Sequence, residues 1–179
     1  MTYEVDRQAS PARSLRFVAL TRTAMAALLD DDLLRASAEA GVALTPYFTA
    51  EESLGLWRLR VEQVTSDPTS AEWIARAVVA EPEGQVVGYA GYHGPPNDAG
   101  MVEIGYAVDP DYRRQGFARA MLAGLLRRAA AEPAVKTVRV SISPDNVASL
   151  ATIAGFGFVE IGEQWDDEDG LETVFEIPA

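Results

Sequence analysis

The chain contains no cysteine, which removes disulfides, thiolate metal sites and cysteine nucleophiles and is compatible with a reducing compartment. It has one histidine, His93, so any imidazole chemistry must pass through that residue. No run of about 18 uncharged apolar residues occurs, and no bilayer-spanning helix is expected. The opening Met1-Thr2-Tyr3-Glu4-Val5-Asp6 lacks the basic and apolar stretches of an export signal, so the expected location is cytoplasmic. Positive charge is scarce, 15 basic against 27 acidic residues for a net charge of −12. That field repels phosphate backbones and anionic lipid, which argues against nucleic acid and membrane partners and favours a cationic one. The glycine-rich P-loop ending in Lys-Ser/Thr and the dinucleotide-type glycine triplet are both missing, so kinase and dehydrogenase readings fall away.

What remains is an ordinary globular composition: 179 residues, 48% apolar and 23% charged, enough for one core and one domain over residues 1–179. There is no internal repeat or long linker. The spacing predicts a first strand at 15–20, then a helix capped by Thr21 or Thr23 and running to Ala40, with Met25, Leu28, Leu29, Leu33 and Leu34 on one stripe and Gly41 as its stop. A second helix is expected from 51 to about 64. Strands follow at 73–80 and 85–92, joined by a hairpin turn at 81–84. A fourth strand is expected at 101–109 and a helix at 116–131, with Arg119, Arg127 and Arg128 facing outward. Further strands at 137–142, 158–164 and 172–177 and a short helix at 146–154 complete an α+β arrangement, a mixed sheet of about seven strands with flanking helices.

The most informative segment is Val108-Asp109-Pro110-Asp111-Tyr112-Arg113-Arg114-Gln115-Gly116-Phe117-Ala118, which links a strand to a helix through a turn ending in glycine. A helix start exposes unpaired N–H groups and a partial positive charge, so it can hold a pyrophosphate. Gly116 and the small Ala118 permit close approach to the backbone, and Arg113 and Arg114 can neutralise phosphate oxygens.

Arg113-Arg114-Gln115-Gly116-Phe117-Ala118 resembles the acyl-CoA motif Gln/Arg-x-x-Gly-x-Gly/Ala of the GNAT acetyltransferase superfamily. The preceding Val102-Glu103-Ile104-Gly105-Tyr106-Ala107-Val108 resembles that family's fourth strand, and Asn146-Val147-Ala148-Ser149 followed by Gly157-Phe158 its second motif. The clear resemblance covers residues 72–158 and is nearest to the branch of ribosomal-protein N-terminal acetyltransferases. It implies the GNAT fold, acetyl-CoA as co-substrate and a primary amine as acceptor. It also implies a fourth and fifth strand splayed apart, with the pantetheine along the exposed edge at Tyr106, Ala107 and Val108. The N–H groups of Arg113, Arg114, Gln115, Gly116, Phe117 and Ala118 would hold the pyrophosphate, and Asn146 and Ser149 would line the same cleft.

Acetyl transfer needs a neutral amine, an oxyanion donor and an exit for a proton. Glu103 stands where relatives carry a carboxylate base, and His93 ends the third strand near the acceptor side; each could instead be an ordinary strand or packing residue. Backbone N–H groups around Val108 would serve the oxyanion. Relatives place a tyrosine seven residues after the motif asparagine, and this chain has Ile153 there; Arg119 replaces a common glutamate. At pH 7 an α-amine is neutral about a tenth of the time, a lysine amine roughly 0.04% of the time, which favours an N-terminal or small cationic amine. The acidic stretch from Glu163 to Glu172, with Asp166, Asp167 and Asp169, is expected on the acceptor side. Open alternatives are a non-catalytic acyl-CoA sensor, an interaction protein on the same fold, and a detoxifying enzyme acting on aminoglycosides or polyamines. Relatives also pair through sheet edges or helix faces, so a homodimer is an option.

Overall fold

The computed structural model describes residues 14–167 and 170–179. Seven strands form one sheet in the order β1-β2-β3-β4-β5-β7-β6. They are β1 Ser14–Ala19, β2 Arg76–Glu81, β3 Gln85–Tyr92, β4 Met101–Val108, β5 Thr137–Ile142, β6 Val159–Asp166 and β7 Gly170–Pro178. Every neighbouring pair is antiparallel except β4 with β5, which run parallel. Five helices pack on its faces: α1 Arg22–Leu29, α2 Leu33–Ala40, α3 Glu51–Ser66, α4 Phe117–Ala131 and α5 Val147–Ile153. The mixed sheet and flanking helices are those expected from the sequence.

Strand alternation sorts the core into two layers. On one face Met25, Leu28, Phe48, Trp57, Val79 and Tyr89 bury under α1–α3. On the other Val78, Val87, Tyr92, Ile104, Met121, Leu122 and Leu125 bury under α4 and α5. Trp57 anchors the first layer. It is fully buried, stacks 5.6 Å from Phe48, meets Tyr89 edge-on at 5.0 Å and donates its indole N–H to the Phe48 carbonyl at 2.7 Å.

Three expectations are corrected. The helix expected from Thr21 to Ala40 is two helices, because Asp31 takes a left-handed φ of 56° and the Asp32 side chain accepts from the Arg35 N–H to start α2. Consecutive aspartates hydrogen-bond locally and favour such a break. Thr21 does cap α1, but Leu34 leaves the apolar stripe and is 86% exposed. The strand expected from residue 73 begins at Arg76; Asp67 caps a single tight turn at Pro68–Glu72 before it. Finally, Arg119 and Arg127 are exposed as expected, whereas Arg128 is only partly exposed. Arg128 folds over the Trp73 and Tyr92 rings. Arg119 donates to the carbonyls of Thr152 and Ala154 and covers the Phe156 ring, so it closes the C-terminal end of α5.

Trp57→Ala should lower unfolding free energy by about 3–5 kcal/mol, with Trp57→Phe losing less, as measured by urea denaturation.

Candidate functional site

β4 pairs with β5 over three residues only, Met101 with Thr137, Val102 with Val138 and Glu103 with Arg139. Beyond Glu103 both strands continue but diverge. Each is secured on its far side, β4 by β3 and β5 by β7, so the opening is a wedge with bare backbone on its inner edges. Alternate residues of a strand turn their main-chain groups to opposite edges. The Glu103 carbonyl accepts from the His93 N–H and the Asp109 N–H donates to Val87, both towards β3. Ile104, Tyr106 and Val108 therefore turn theirs into the wedge, and Ala107 turns towards β3.

At the outer end of the wedge lies a cavity of about 410 Å³. It gathers Tyr106, Ala107, Val108, Arg113, Arg114, Gly116, Phe117, Ala118, Asn146 and Ser149. Of the expected cofactor residues only Gln115 stays off this wall; its side chain donates to the Asp111 carbonyl. The turn is held from below by Asp109, a buried carboxylate that accepts from the Asp111 N–H and from the Thr45 hydroxyl at 2.6 Å. Arg113 donates to the Val108 carbonyl. Arg114 and Gly116 both have positive φ, 56° and 84°, which curls consecutive N–H groups towards one point, a geometry suited to anions. At Gly116 an added Cβ would meet nothing within 4 Å; the backbone is bare and space is left in front of it. Phe117 is buried against Tyr112, so its ring anchors α4.

Asn146 and Ser149 are related by local geometry: the Asn146 side chain accepts from the Ser149 N–H and caps α5. The Tyr106 hydroxyl is buried without a partner at hydrogen-bond geometry. Burial raises its pKa, and the nearby Ser149 and Thr152 only temper that push. Ile153, where relatives carry a tyrosine, is buried in the core.

A second cavity of about 200 Å³ fills the wedge itself and shares Tyr106, Asn146 and Ser149 with the first. At its vertex Glu103 accepts from the Ser141 hydroxyl at 2.6 Å, and Gln164 donates to both Ser141 and Glu172. The His93 Nδ1 stands 3.9 Å from the other Glu103 oxygen. Its ring lies over Gly105, where a Cβ would meet Nε2 at 3.2 Å, so a larger residue there would displace the imidazole. Arg60 and Gln63 of α3 both donate to the His93 carbonyl. Burial lowers the His93 pKa below its ordinary value, Glu103 opposes this, Arg60 adds to it and Asp166 opposes it. The side chain is nevertheless half exposed and faces a broad groove.

That groove, about 920 Å³, runs between α3 and the end of β6 and is lined by Glu52, Glu62, His93, Trp165, Asp166 and Asp167 among others. Asp169, expected beside them, lies outside the described residues. Four partners went unnoticed in the sequence: Thr45 and Asp109 beneath the Gly116 turn, and Ser141 and Gln164 beside Glu103. Asp109-Pro110-Asp111 could have signalled a capped turn, whereas the other three meet distant partners only in the tertiary fold and carry no local signal. Among the described residues no helix is long and apolar enough to cross a membrane.

The model of the acetyltransferase (GNAT) domain family matches residues 16–159. An uncharacterised N-acetyltransferase of Bacillus subtilis, YjdG, is 30% identical over 87 residues, 49% of this chain and 50% of its own length. An L-2,4-diaminobutyric acid acetyltransferase of Streptomyces coelicolor is 30% identical over 115 residues, 59% of this chain and 68% of its own length. The chain thus spans half the length of the first of these relatives. Among solved structures, a ribosomal-protein-alanine N-acetyltransferase of Brucella melitensis superposes with a TM-score of 0.56 at 26% identity, covering 93% of this chain and 99% of that one. With the family match extending from β1 to β6 and the splayed β4–β5 wedge beside a phosphate-type turn, this chain belongs to the GNAT acetyltransferase family.

Proposed function

We propose that the protein transfers an acetyl group from acetyl-CoA to a primary amine, a protein N-terminus or a small cationic amine, by direct attack in a ternary complex. The observation that carries this reading is the wedge between β4 and β5, whose two cavities share Tyr106, Asn146 and Ser149 and run from the Gly116 turn to Ser141, the hydrogen-bond partner of Glu103. The residues fit the co-substrate. Gly116 leaves its backbone bare, Arg113 and Arg114 can meet phosphate charge, and the main-chain groups that Tyr106 and Val108 turn into the wedge suit an amide-bearing arm. Acetyl-CoA would supply the acyl group as a thioester. The N–H groups of residues 113–118 hold its pyrophosphate, Asn146 and Ser149 border the arm, and main-chain N–H near Val108 faces the developing oxyanion.

His93 takes the proton of the incoming amine. Its lowered pKa keeps the imidazole neutral at pH 7, and Glu103, fixed by Ser141, stabilises the imidazolium that results. The acidic groove recruits a cationic acceptor through Glu52, Glu62, Asp166 and Asp167. Relatives that act on diaminobutyric acid and on a ribosomal-protein alanine support both acceptor classes, and an acidic groove equally suits an aminoglycoside or polyamine. We carry forward a cytoplasmic setting and a homodimer, for which the edge strand β6 offers exposed Val159 and Ile161. A second reading, acyl-CoA sensing without turnover, is favoured by one observation: Ile153 is a core residue and brings no hydroxyl to the departing thiolate.

Calorimetry should show acetyl-CoA binding that is abolished in Gly116→Glu, whose side chain and strained positive φ intrude on the turn; absence of binding to the unaltered chain would remove the proposal, and binding without thiol release across an amine panel would support the sensor. For turnover, kcat/KM should fall as pH drops through a midpoint below 6.5, because protonation of His93 removes the base. His93→Gln should abolish that acid limb and lower kcat by about 10²-fold or more, whereas a limb that persists would transfer the role to Glu103. Paired Asp166→Asn and Asp167→Asn substitutions should raise KM for a dicationic amine about threefold or more at low salt with kcat unchanged.

A further inference from the structure

A separate pocket of about 170 Å³ opens between β1, β3 and α4, remote from the wedge in its lining: Phe17, Ala90, Gly91, Gly124, Leu125 and the arginines Arg76 and Arg128. Its chemistry is lopsided. Both guanidinium groups donate to a single acceptor, the Glu72 carbonyl oxygen. Neither forms an ion pair within 4.0 Å among the described residues, in a chain where acids outnumber bases 27 to 15. The Arg76 Nε is buried with no hydrogen-bond partner at all. An unpaired buried donor on a cation is expensive to leave unsatisfied. Burial, and next the like charge of Arg128, push the Arg76 pKa down, with Glu72 giving a smaller opposite contribution. Arg128 is kept in place by the Trp73 and Tyr92 rings beneath it, so the two charges are held together instead of swinging apart into solvent.

The remaining walls are apolar. Phe17 lies against α4, where Gly124 has no side chain to exclude it; a Cβ there would meet the ring at 2.9 Å. Ala90, small and fully buried, forms the floor, with Leu125 beside it.

We propose that this pocket binds the carboxylate of a short apolar acid, with Arg76 and Arg128 holding the carboxylate and Phe17, Ala90 and Leu125 enclosing the hydrocarbon part. A planar carboxylate accepts two parallel N–H bonds from a guanidinium fork, and it would balance the two neighbouring positive charges that the described residues leave without a carboxylate partner. The site is independent of the proposed acetyl transfer.

The test is a titration of the ¹⁵N-labelled full chain with sodium butyrate, beside sodium phosphate and sodium chloride at matched ionic strength. Butyrate should give saturable amide shifts concentrated at Ala90, Gly91, Gly124 and Leu125. Arg76→Gln and Arg128→Gln should each weaken it by about tenfold or more, with acetyl-CoA binding kept as the check on folding; Arg76→Lys, which retains charge but loses the fork, should lie between. Saturation by phosphate but not butyrate would overturn the carboxylate assignment. Shifts matched by chloride, scattered over the surface, or undiminished in both glutamine variants would overturn the site.

Discussion

The parallel pairing of β4 with β5 ends at Glu103 and Arg139, and the site depends on that termination. Had the ladder continued, the main-chain groups of Ile104, Tyr106 and Val108 would be satisfied inside the sheet and no wedge would exist. Because β3 and β7 secure the outer edges, the two strands can part without unravelling. The unpaired inner edges then demand partners, from water or from a ligand with amides of its own.

Side chains at the vertex turn this gap into a chemical site. Glu103, the last residue of β4 paired with β5, is fixed by Ser141 across the opening, and Gln164 extends the connection to Glu172 on β7. The backbone of His93 pairs with that of Glu103, which delivers the single imidazole of the chain to the same point. α3 supports this from the groove side through Arg60 and Gln63. At the other end, Asp109 and Thr45 hold the turn whose glycine opens α4. Both ends of the wedge are thus braced from the α1–α3 side, by Thr45 at the turn and by Arg60 and Gln63 at the vertex.

Much of this was legible in local pattern. Residues 85–92 and 137–142 were bounded correctly because the first is a continuous apolar run, the second alternates regularly, and turn residues flank both. The Gly116 turn was legible because a left-handed φ at a helix start calls for glycine. The short helix expected at 146–154 is present as α5, and its Asn146 side chain accepts from the Ser149 N–H. The single helix expected across residues 21–40 failed because apolar periodicity was weighed above three successive aspartates, whose local hydrogen bonds break a helix. The outward-facing role given to Arg128 failed because helical position describes direction, whereas a long side chain settles where carbonyls and rings meet it.

By itself the sequence determined the succession of strands, the mixed sheet with flanking helices, the glycine turn that opens α4 and the lone imidazole, since these follow from spacings of a few residues and from composition. Only the tertiary structure decided that β4 and β5 part after three residues, that Ser141 fixes Glu103 beside His93, that α3 adds Glu52 and Glu62 to the acidic groove, and that Arg76 and Arg128 share one carbonyl without a carboxylate partner. The physical reason is sequence separation. Contacts such as Glu103 with Ser141, 38 residues apart, or Thr45 with Asp109, 64 apart, are set by how the sheet is ordered and packed, and no local periodicity encodes them.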